Sequence, residues 1–300
     1  MIKKRFVKRI AIAVAALIAA TGVSIGTGLF DGKKEEPAKH TEQVSGELKI
    51  HYIDVGQGDA TLIQCAGKNM LIDAGENDKG MQVRAYLKKQ GVEKLDYVIG
   101  THPDSDHIGG LDVIIYNFDC GTILMPDYKK DTKTYDDVIQ TIKNKHYKIT
   151  SPVVGTTYEL GEAKFTIIAP NDKYDDANDA SIGIIMRYGQ QSFLFTGDAE
   201  ETSEKDIIKN GIDIQAKVYK AGHHGSRTSS SDEMLALIRP EVVVISCGED
   251  NSYGHPHASI LNYCISNKIP IYRTDKQGTI VVTTDGKQLI WNMSPYDAIP

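Results

Sequence analysis

Basic residues are scarce over most of this chain. Its 300 residues hold 34 Lys or Arg against 40 Asp or Glu, a formal net charge of -6. Five of the basic residues (Lys3, Lys4, Arg5, Lys8 and Arg9) fall within the first nine positions. The other 291 residues carry 29 basic and 40 acidic side chains, a net charge of -11. That balance argues against a broad basic face that grips duplex DNA by bulk charge, though not against a local patch or a bound cation. Cysteine is scarce too. Cys65, Cys120, Cys247 and Cys264 form no close pair, which excludes a zinc ribbon or a disulfide-dense framework and leaves packing as their plain role. An oxidising exterior would permit disulfides, but the spacing selects no pairing. There is no internal repeat at short period. A composition of 41% hydrophobic and 25% charged residues argues against a disordered, collagen-like or polytopic membrane protein.

The basic excess at the N-terminus precedes an uncharged run from Ile10 to Phe30. Ile10–Ala20 is strongly apolar, while the second half is diluted by Thr21, Gly22, Ser24, Gly26, Thr27 and Gly28. A positive flank followed by an apolar run is the layout of a secretion signal or an N-terminal membrane anchor. A span needs roughly 20 apolar residues, and this run barely reaches that. Residues 1–30 are therefore expected to be a signal peptide or anchor that places the rest outside the cytoplasmic membrane, with no Leu-x-x-Cys for lipid attachment. Residues 31–47 lack apolar periodicity and read as a solvated linker. Residues 48–300 are long enough for one sizeable core.

Within 48–300, strand patterns alternate with helical ones. Strands are expected at Leu48–Val55, Ala60–Cys65, Asn69–Asp73, Leu95–Gly100, Phe165–Ala169, Ile182–Tyr188, Ser192–Phe195, Ile214–Lys220 and Val242–Ser246, and again in three C-terminal segments from Pro270 to Trp291. Helical spacing marks Gly80–Gln90, Ile108–Tyr116, Lys133–Lys145, Ser231–Ile238 and His257–Asn267. Mixed strands with helices outside predict an α/β (α+β) layered sandwich, two sheets enclosed by helices.

Potential ligands gather where strands end. Thr101-His102-Pro103-Asp104-Ser105-Asp106-His107 sets four of them within six residues, directly after an apolar strand. A strand alternates its faces, but a loop at its end can turn all four inward. His102 and Asp104 would point together and Asp106 and His107 would serve a second centre, the arrangement wanted by two metals roughly 3.5–4 Å apart. The bland reading is a polar turn loop. Asp198, in Thr196-Gly197-Asp198-Ala199-Glu200, follows another strand and could bridge two cations or cap a helix. Adjacent His223 and His224 lie between glycines after a third strand, and Asp73 closes a buried strand where it could orient a metal-binding histidine or simply make a turn.

Taken together, "HYIDVGQGDATLI", "LIDAG", "THPDSDHIGG", "LFTGDAE", "KAGHHGS" and "YGHPH" resemble the metallo-β-lactamase superfamily over essentially all of 48–300. More narrowly they resemble the extracytoplasmic hydrolase domain of ComEC DNA-uptake proteins. The resemblance implies an αββα sandwich, one or two divalent metals (Mn, Mg or Zn), and phosphodiesterase or nuclease activity. It also implies His102 and Asp104 in one centre, Asp106 and His107 in the other, Asp198 as bridge and His223 completing the second centre. His224 is then a substrate or leaving-group contact, although the order of the two histidines stays open. Asp104 stands where the superfamily usually has His, and Asn178-Asp179-Ala180-Ser181 replaces a further motif histidine, which leaves Asn178 and Ser181 beside the ligands. Oxygen donors in place of imidazole shift preference from zinc towards manganese or magnesium.

The expected mechanism is attack of a metal-activated hydroxide on phosphorus, with Asp106 orienting the nucleophile and His224 stabilising charge. His255 or Tyr253 would reach the phosphate or the leaving oxygen, and Ser226, Arg227 and Thr228 are weaker phosphate contacts. Expected partners are DNA or another phosphodiester, the membrane through the N-terminus, and the competence machinery. Two other readings compete. One is a metallohydrolase of another exposed ester: a wall-polymer phosphodiester, phosphocholine group or lactone. The other is a non-catalytic binding module.

Overall fold

The structure, a computed structural model, describes residues 44–296. The expected leader and most of the expected linker lie outside the described residues. In chain order the elements are β1 (Leu48–Tyr52), β2 (Thr61–Cys65), β3 (Lys68–Ile72), α1 (Gly80–Lys89), β4 (Lys94–Ile99), α2 (Ser105–Ile108), α3 (Leu111–Asn117), β5 (Asp119–Leu124), α4 (Lys133–Asn144), β6 (Ile149–Thr150), β7 (Thr157–Leu160) and β8 (Ala163–Ala169). There follow β9 (Gly183–Tyr188), β10 (Gln191–Phe195), α5 (Glu201–Asn210), β11 (Val218–Lys220), α6 (Asp232–Ile238), β12 (Val242–Ile245), α7 (Ala258–Asn267), β13 (Ile271–Arg273), α8 (Thr274–Gln277), β14 (Ile280–Thr284) and β15 (Leu289–Trp291).

The strands form two sheets, ordered β15-β14-β1-β2-β3-β4-β5-β6 and β13-β12-β11-β10-β9-β8-β7. Side-chain alternation along the strands decides what lies between the sheets. Leu48, Ile50, Tyr52, Ile63, Met70 and Ile72 from the first sheet meet Phe165, Met186, Phe193, Phe195 and Val244 from the second in one shared core. The intervening residues face outward. Leu62 and Leu71 pack with Val83 and Leu87 of α1 and Leu111 and Ile115 of α3. Leu194, Val243 and Ile245 pack with Ile207 of α5, Met234 and Leu235 of α6 and Ile260 of α7. This is the expected αββα sandwich.

The expected helix over Ile108–Tyr116 is two helices, α2 and α3, parted at Gly109–Gly110. Only the last three residues of the expected strand Ile214–Lys220 pair, because Lys217 N already donates to Ser192 Oγ at 3.1 Å. At the start of the described chain, Val44 packs on the inter-sheet core, and Ser45 donates from both its amide and its hydroxyl to Glu162, at 2.8 and 2.6 Å. All four cysteines are buried and unpaired. Among the described residues no helix is long and apolar enough to cross a membrane.

Parallel strands position the site. β3, β4 and β5 run parallel in one sheet, and β10, β11 and β12 in the other. Loops leaving their carboxyl ends open on one edge of the sandwich, the usual place for ligands in parallel sheets.

Candidate metal centre

Asp73 follows β3 and organises the loop after β4. Its carboxylate accepts from the Thr101 amide at 2.8 Å, the Thr101 hydroxyl at 2.7 Å and His107 Nδ1 at 2.8 Å. The proton of His107 is thereby held on Nδ1, and the lone pair of Nε2 points away from Asp73. His224 is set in the same way, with Nδ1 3.0 Å from the Ser246 carbonyl at the end of β12. The Nδ1 of His102 lies 3.1 Å from Thr101 Oγ1 and 3.3 Å from Ser181 Oγ. Its Nε2 is buried and has no hydrogen-bond partner.

The freed nitrogens converge with carboxylates. His107 Nε2 and His224 Nε2 are 3.2 Å apart, and Asp198 Oδ2 lies 3.2 Å from the first and 3.3 Å from the second. Asp106 Oδ2 is 3.2 Å from His224 Nε2. Asp59, His107, Asp198 and His224, all buried, each offer a ligand atom, and these atoms lie within 4.8 Å of one another. Asp198 Oδ1 and Asp59 Oδ1 are buried without partners.

This donor set fits a divalent cation. Two imidazoles that each keep their proton on Nδ1 aim lone pairs at one another across 3.2 Å, and a cation accepting both removes that repulsion. Electrostatics point the same way. Burial by itself would lower the His107 pKa, but Asp198, Asp73 and Asp106 hold it well above the ordinary imidazole value. Burial opposes His224 likewise, yet Asp198 and Asp59 push it up to about 9. Burial would raise the Asp198 carboxyl, and the two histidines hold it well below the carboxylate range. The pocket demands positive charge. His102, buried beside His107, is driven down to about 4 and is held neutral as a ligand must be.

The backbone is bent to reach this arrangement. His223 (φ 47°, ψ 50°) and His224 (φ 55°, ψ 23°) are consecutive left-handed residues in the turn Gly222–Gly225. Such conformations cost non-glycine residues roughly 1–2 kcal/mol each and persist where surrounding structure imposes them. On the opposite side Gly58 (φ +124°) lies flush against Asp106, where a Cβ would stand 2.2 Å from the Asp106 carbonyl oxygen. The Asp59 amide donates to that same oxygen at 3.0 Å.

The structure places His102, Asp106, His107 and Asp198 close together. The order of the adjacent histidines, left open by the sequence, differs in placement from the favoured one. His224 enters the cluster. His223 sits at its rim, with Nε2 3.6 Å from Asp198 and Nδ1 3.0 Å from Glu200 Oε1. The left-handed turn decides this, because it swings successive side chains through a rotation that alternation cannot foresee. Asp104 faces outward and pairs with Lys130 at 2.6 Å. Asn178 reaches Glu200 at 3.4 Å and not the cluster. Ser181 is beside the ligands, since its Oγ accepts from the Asp198 amide at 3.0 Å. Ser226 and Thr228 bond each other at 2.9 Å on the rim. His255 stands at the mouth, its ring 6.0 Å from that of His224 and 5.4 Å from that of His223. Burial and the neighbouring histidines lower it to about 4.

Sequence reasoning missed Asp59, its partner Lys220 at 2.5 Å, Lys130 and Glu200. Asp59 carried a signal: it follows Gly56-Gln57-Gly58 and stands just before a buried strand.

Comparison with known proteins bears on the fold and family. Residues 53–249 match the model of the metallo-beta-lactamase superfamily. The chain is 28% identical over 257 residues to ComE operon protein 3 of Bacillus subtilis, covering 79% of this chain and 33% of that one. It is 30% identical over 240 residues to Recombination protein 2 of Haemophilus influenzae, covering 78% and 28%. The chain thus spans about a third of the length of these relatives. Among solved structures, the metallo-beta-lactamase fold protein YhfI from Bacillus subtilis superposes with a TM-score of 0.55 at 13% identity, covering 80% of this chain and 100% of that one. The fold, the ligand cluster at the strand ends and the family match lead to one conclusion: this chain belongs to the metallo-beta-lactamase superfamily.

Proposed function

We propose that the protein is a metal-dependent phosphodiesterase that cleaves DNA outside the cytoplasmic membrane. One observation carries the reading. His102, Asp106, His107, Asp198 and His224 converge at the strand ends, with Asp198 Oδ1 and His102 Nε2 buried and unspent. These five residues would hold one or two divalent ions, and the mix of oxygen and imidazole donors suits manganese, magnesium or zinc. Bound there, such an ion supplies positive charge for phosphoryl oxygens and makes water a nucleophile near neutral pH.

The chain's own residues do the rest. Asp73 and the Ser246 carbonyl keep protons on the far nitrogens of His107 and His224, so both rings stay oriented. Asp106, only partly covered, orients the attacking water. Neutral His255 lies at the mouth, where it contacts the leaving oxygen. Ser226, Arg227 and Thr228 border the phosphate. Relatives named as competence and recombination proteins support DNA as substrate. The basic, apolar leader supports an extracytoplasmic site, secreted or anchored, alongside the competence machinery. The net charge of -11 beyond the first nine residues favours capture of substrate at the metals and not along a basic track. It also favours the second reading, an ester of the cell surface such as a wall-polymer phosphodiester, phosphocholine group or lactone.

The test sets purified protein against single-stranded DNA, a small phosphodiester and a lactone with manganese, magnesium or zinc. DNA cleavage that disappears on chelation is expected. Turnover of the small ester or lactone alone would replace DNA with the second reading.

A further inference from the structure

The loop between β12 and α7 carries an aromatic ring that the fold leaves uncovered. Tyr253 is 64% exposed. One of its faces lies nearly parallel to His255, with ring centroids 5.5 Å apart and planes 18° apart. From His255 the next ring step, 6.0 Å, reaches His224 inside the cluster. Among the described residues the Tyr253 hydroxyl makes no hydrogen bond, and His255 is the one ring that Tyr253 stacks on.

The loop is nevertheless rigidly held. The Asn251 side chain donates to the carbonyls of Gly248 at 2.9 Å and His255 at 2.6 Å, and accepts from the His255 amide at 2.9 Å. Pro256 fills the space that Gly225 leaves open, where a Cβ would stand 2.7 Å from Pro256 Cβ. The His257 amide donates to the Gly225 carbonyl at 2.9 Å. The ring is therefore fixed to the same turn that aims His223 and His224. Arg227, exposed on that rim, has its amide bonded to His257 Nδ1 at 3.0 Å, while its guanidinium makes no ion pair among the described residues.

We propose that Tyr253 is a stacking shelf for an unpaired base, which makes single-stranded nucleic acid the preferred substrate; this rests on the phosphodiesterase reading above. Every base offers a π-face, so stacking on an aromatic ring recognises a strand without reading its sequence. A base within a duplex already has both faces covered by its neighbours and reaches the shelf only by leaving the stack. The chemistry matches the charge: a chain whose residues beyond the ninth carry a net charge of -11 gains hold of a strand through a ring, one arginine and the metals. Tyr253 here sets substrate choice and takes no part in bond breaking.

The experiment uses the metal-loaded full chain with oligothymidylate, its duplex, and a matching strand bearing abasic sites. The wild type is expected to cut the single strand in preference to both others. In Tyr253→Ala, the preference for the base-bearing over the abasic strand should collapse by roughly 5- to 100-fold, mainly through KM. Tyr253→Phe and Tyr253→Trp should restore it, since they keep the ring and lose only the hydroxyl. Metal content equal to that of the wild type certifies each variant's centre. A Phe variant as defective as the Ala variant, or an unchanged preference in Tyr253→Ala, overturns the shelf while DNA cleavage itself stands. No metal-dependent cleavage of any strand by the wild type overturns the phosphodiesterase reading, and the shelf with it.

Discussion

The two ends of β3 and β4 both gather charged residues, and they treat them in opposite ways. At the amino ends, Asp96 accepts from the Asn69 amide at 3.0 Å and from Lys68 at 3.0 Å, and Lys94 stands 3.3 Å away. Its carboxylate is satisfied by the chain itself. At the carboxyl ends, Asp73 is likewise saturated, but several groups near it are not. His102 Nε2, Asp198 Oδ1 and Asp59 Oδ1 are buried with nothing to bond. A buried polar atom without a partner costs roughly 1–3 kcal/mol. Other buried atoms without partners, among them the Tyr188 hydroxyl and Gln191 Oε1, lie elsewhere, whereas those three at the carboxyl ends belong to the carboxylates and imidazoles of one site. Paired charge is structure, and unspent charge marks the site.

Four substitutions test this contrast. The largest effect is expected from Asp198→Ala, which removes the carboxylate shared by His107 and His224. Metal-dependent turnover should vanish and bound manganese should fall, while the melting temperature holds. Retained turnover would sink the metal-centred reading. Gly58→Ala comes next. A methyl group placed 2.2 Å from the Asp106 carbonyl must displace that backbone, and a shift of about 1 Å costs on the order of a hundredfold in rate. Steady-state kinetics with a far-UV spectrum separates this from unfolding. Asp73→Ala removes the acceptor that holds the His107 tautomer, and metal affinity should drop roughly 10- to 100-fold in a calorimetric titration.

The smallest effect belongs to the satisfied end. Burial would raise the Asp96 carboxyl, but the Asn69 amide, Lys68 and Lys94 outweigh it and lower its pKa. A depressed carboxylate contributes stability that is present above its unfolded value of 3.8 and is lost as pH falls through the folded value. Asp96→Asn should therefore cost about 1 kcal/mol at pH 7, limited because both lysines are half-exposed and screened. The difference should shrink in denaturant unfolding as pH falls below 3.8 and through the folded value. A loss of the same size at every pH would show that packing, and not charge, sets the effect. None of the metal-dependent activity should change.

Much of the molecule was legible in its sequence. Alternation in β1 and short apolar runs in β2, β3 and β10 report strands, and Lys133–Asn144 shows its helical spacing plainly. Strands β5, β6 and β7 were not legible. β5 opens Asp-Cys-Gly and acquires its pairing from β4 beside it, and β6 and β7 are edge strands of two and four residues. In the site, Asp73, His102, Asp106, His107 and Asp198 could be nominated because dense ligands at strand ends have few other uses.

What remained hidden concerns direction, not identity. Residue types and their positions after apolar strands are local facts, and the covalent chain alone carries them. Whether His223 or His224 enters the cluster depends on two left-handed residues held by Gly225 against Pro256, thirty-one positions further on. That Asp104 turns to Lys130 depends on where the loop after β5 passes. That Asp59 joins the group depends on a glycine in the loop between β1 and β2 lying flush against Asp106. Side chains on loops take the directions that packing between distant segments imposes. The sequence therefore determined which groups exist at the strand ends, and only the tertiary structure decided which of them meet.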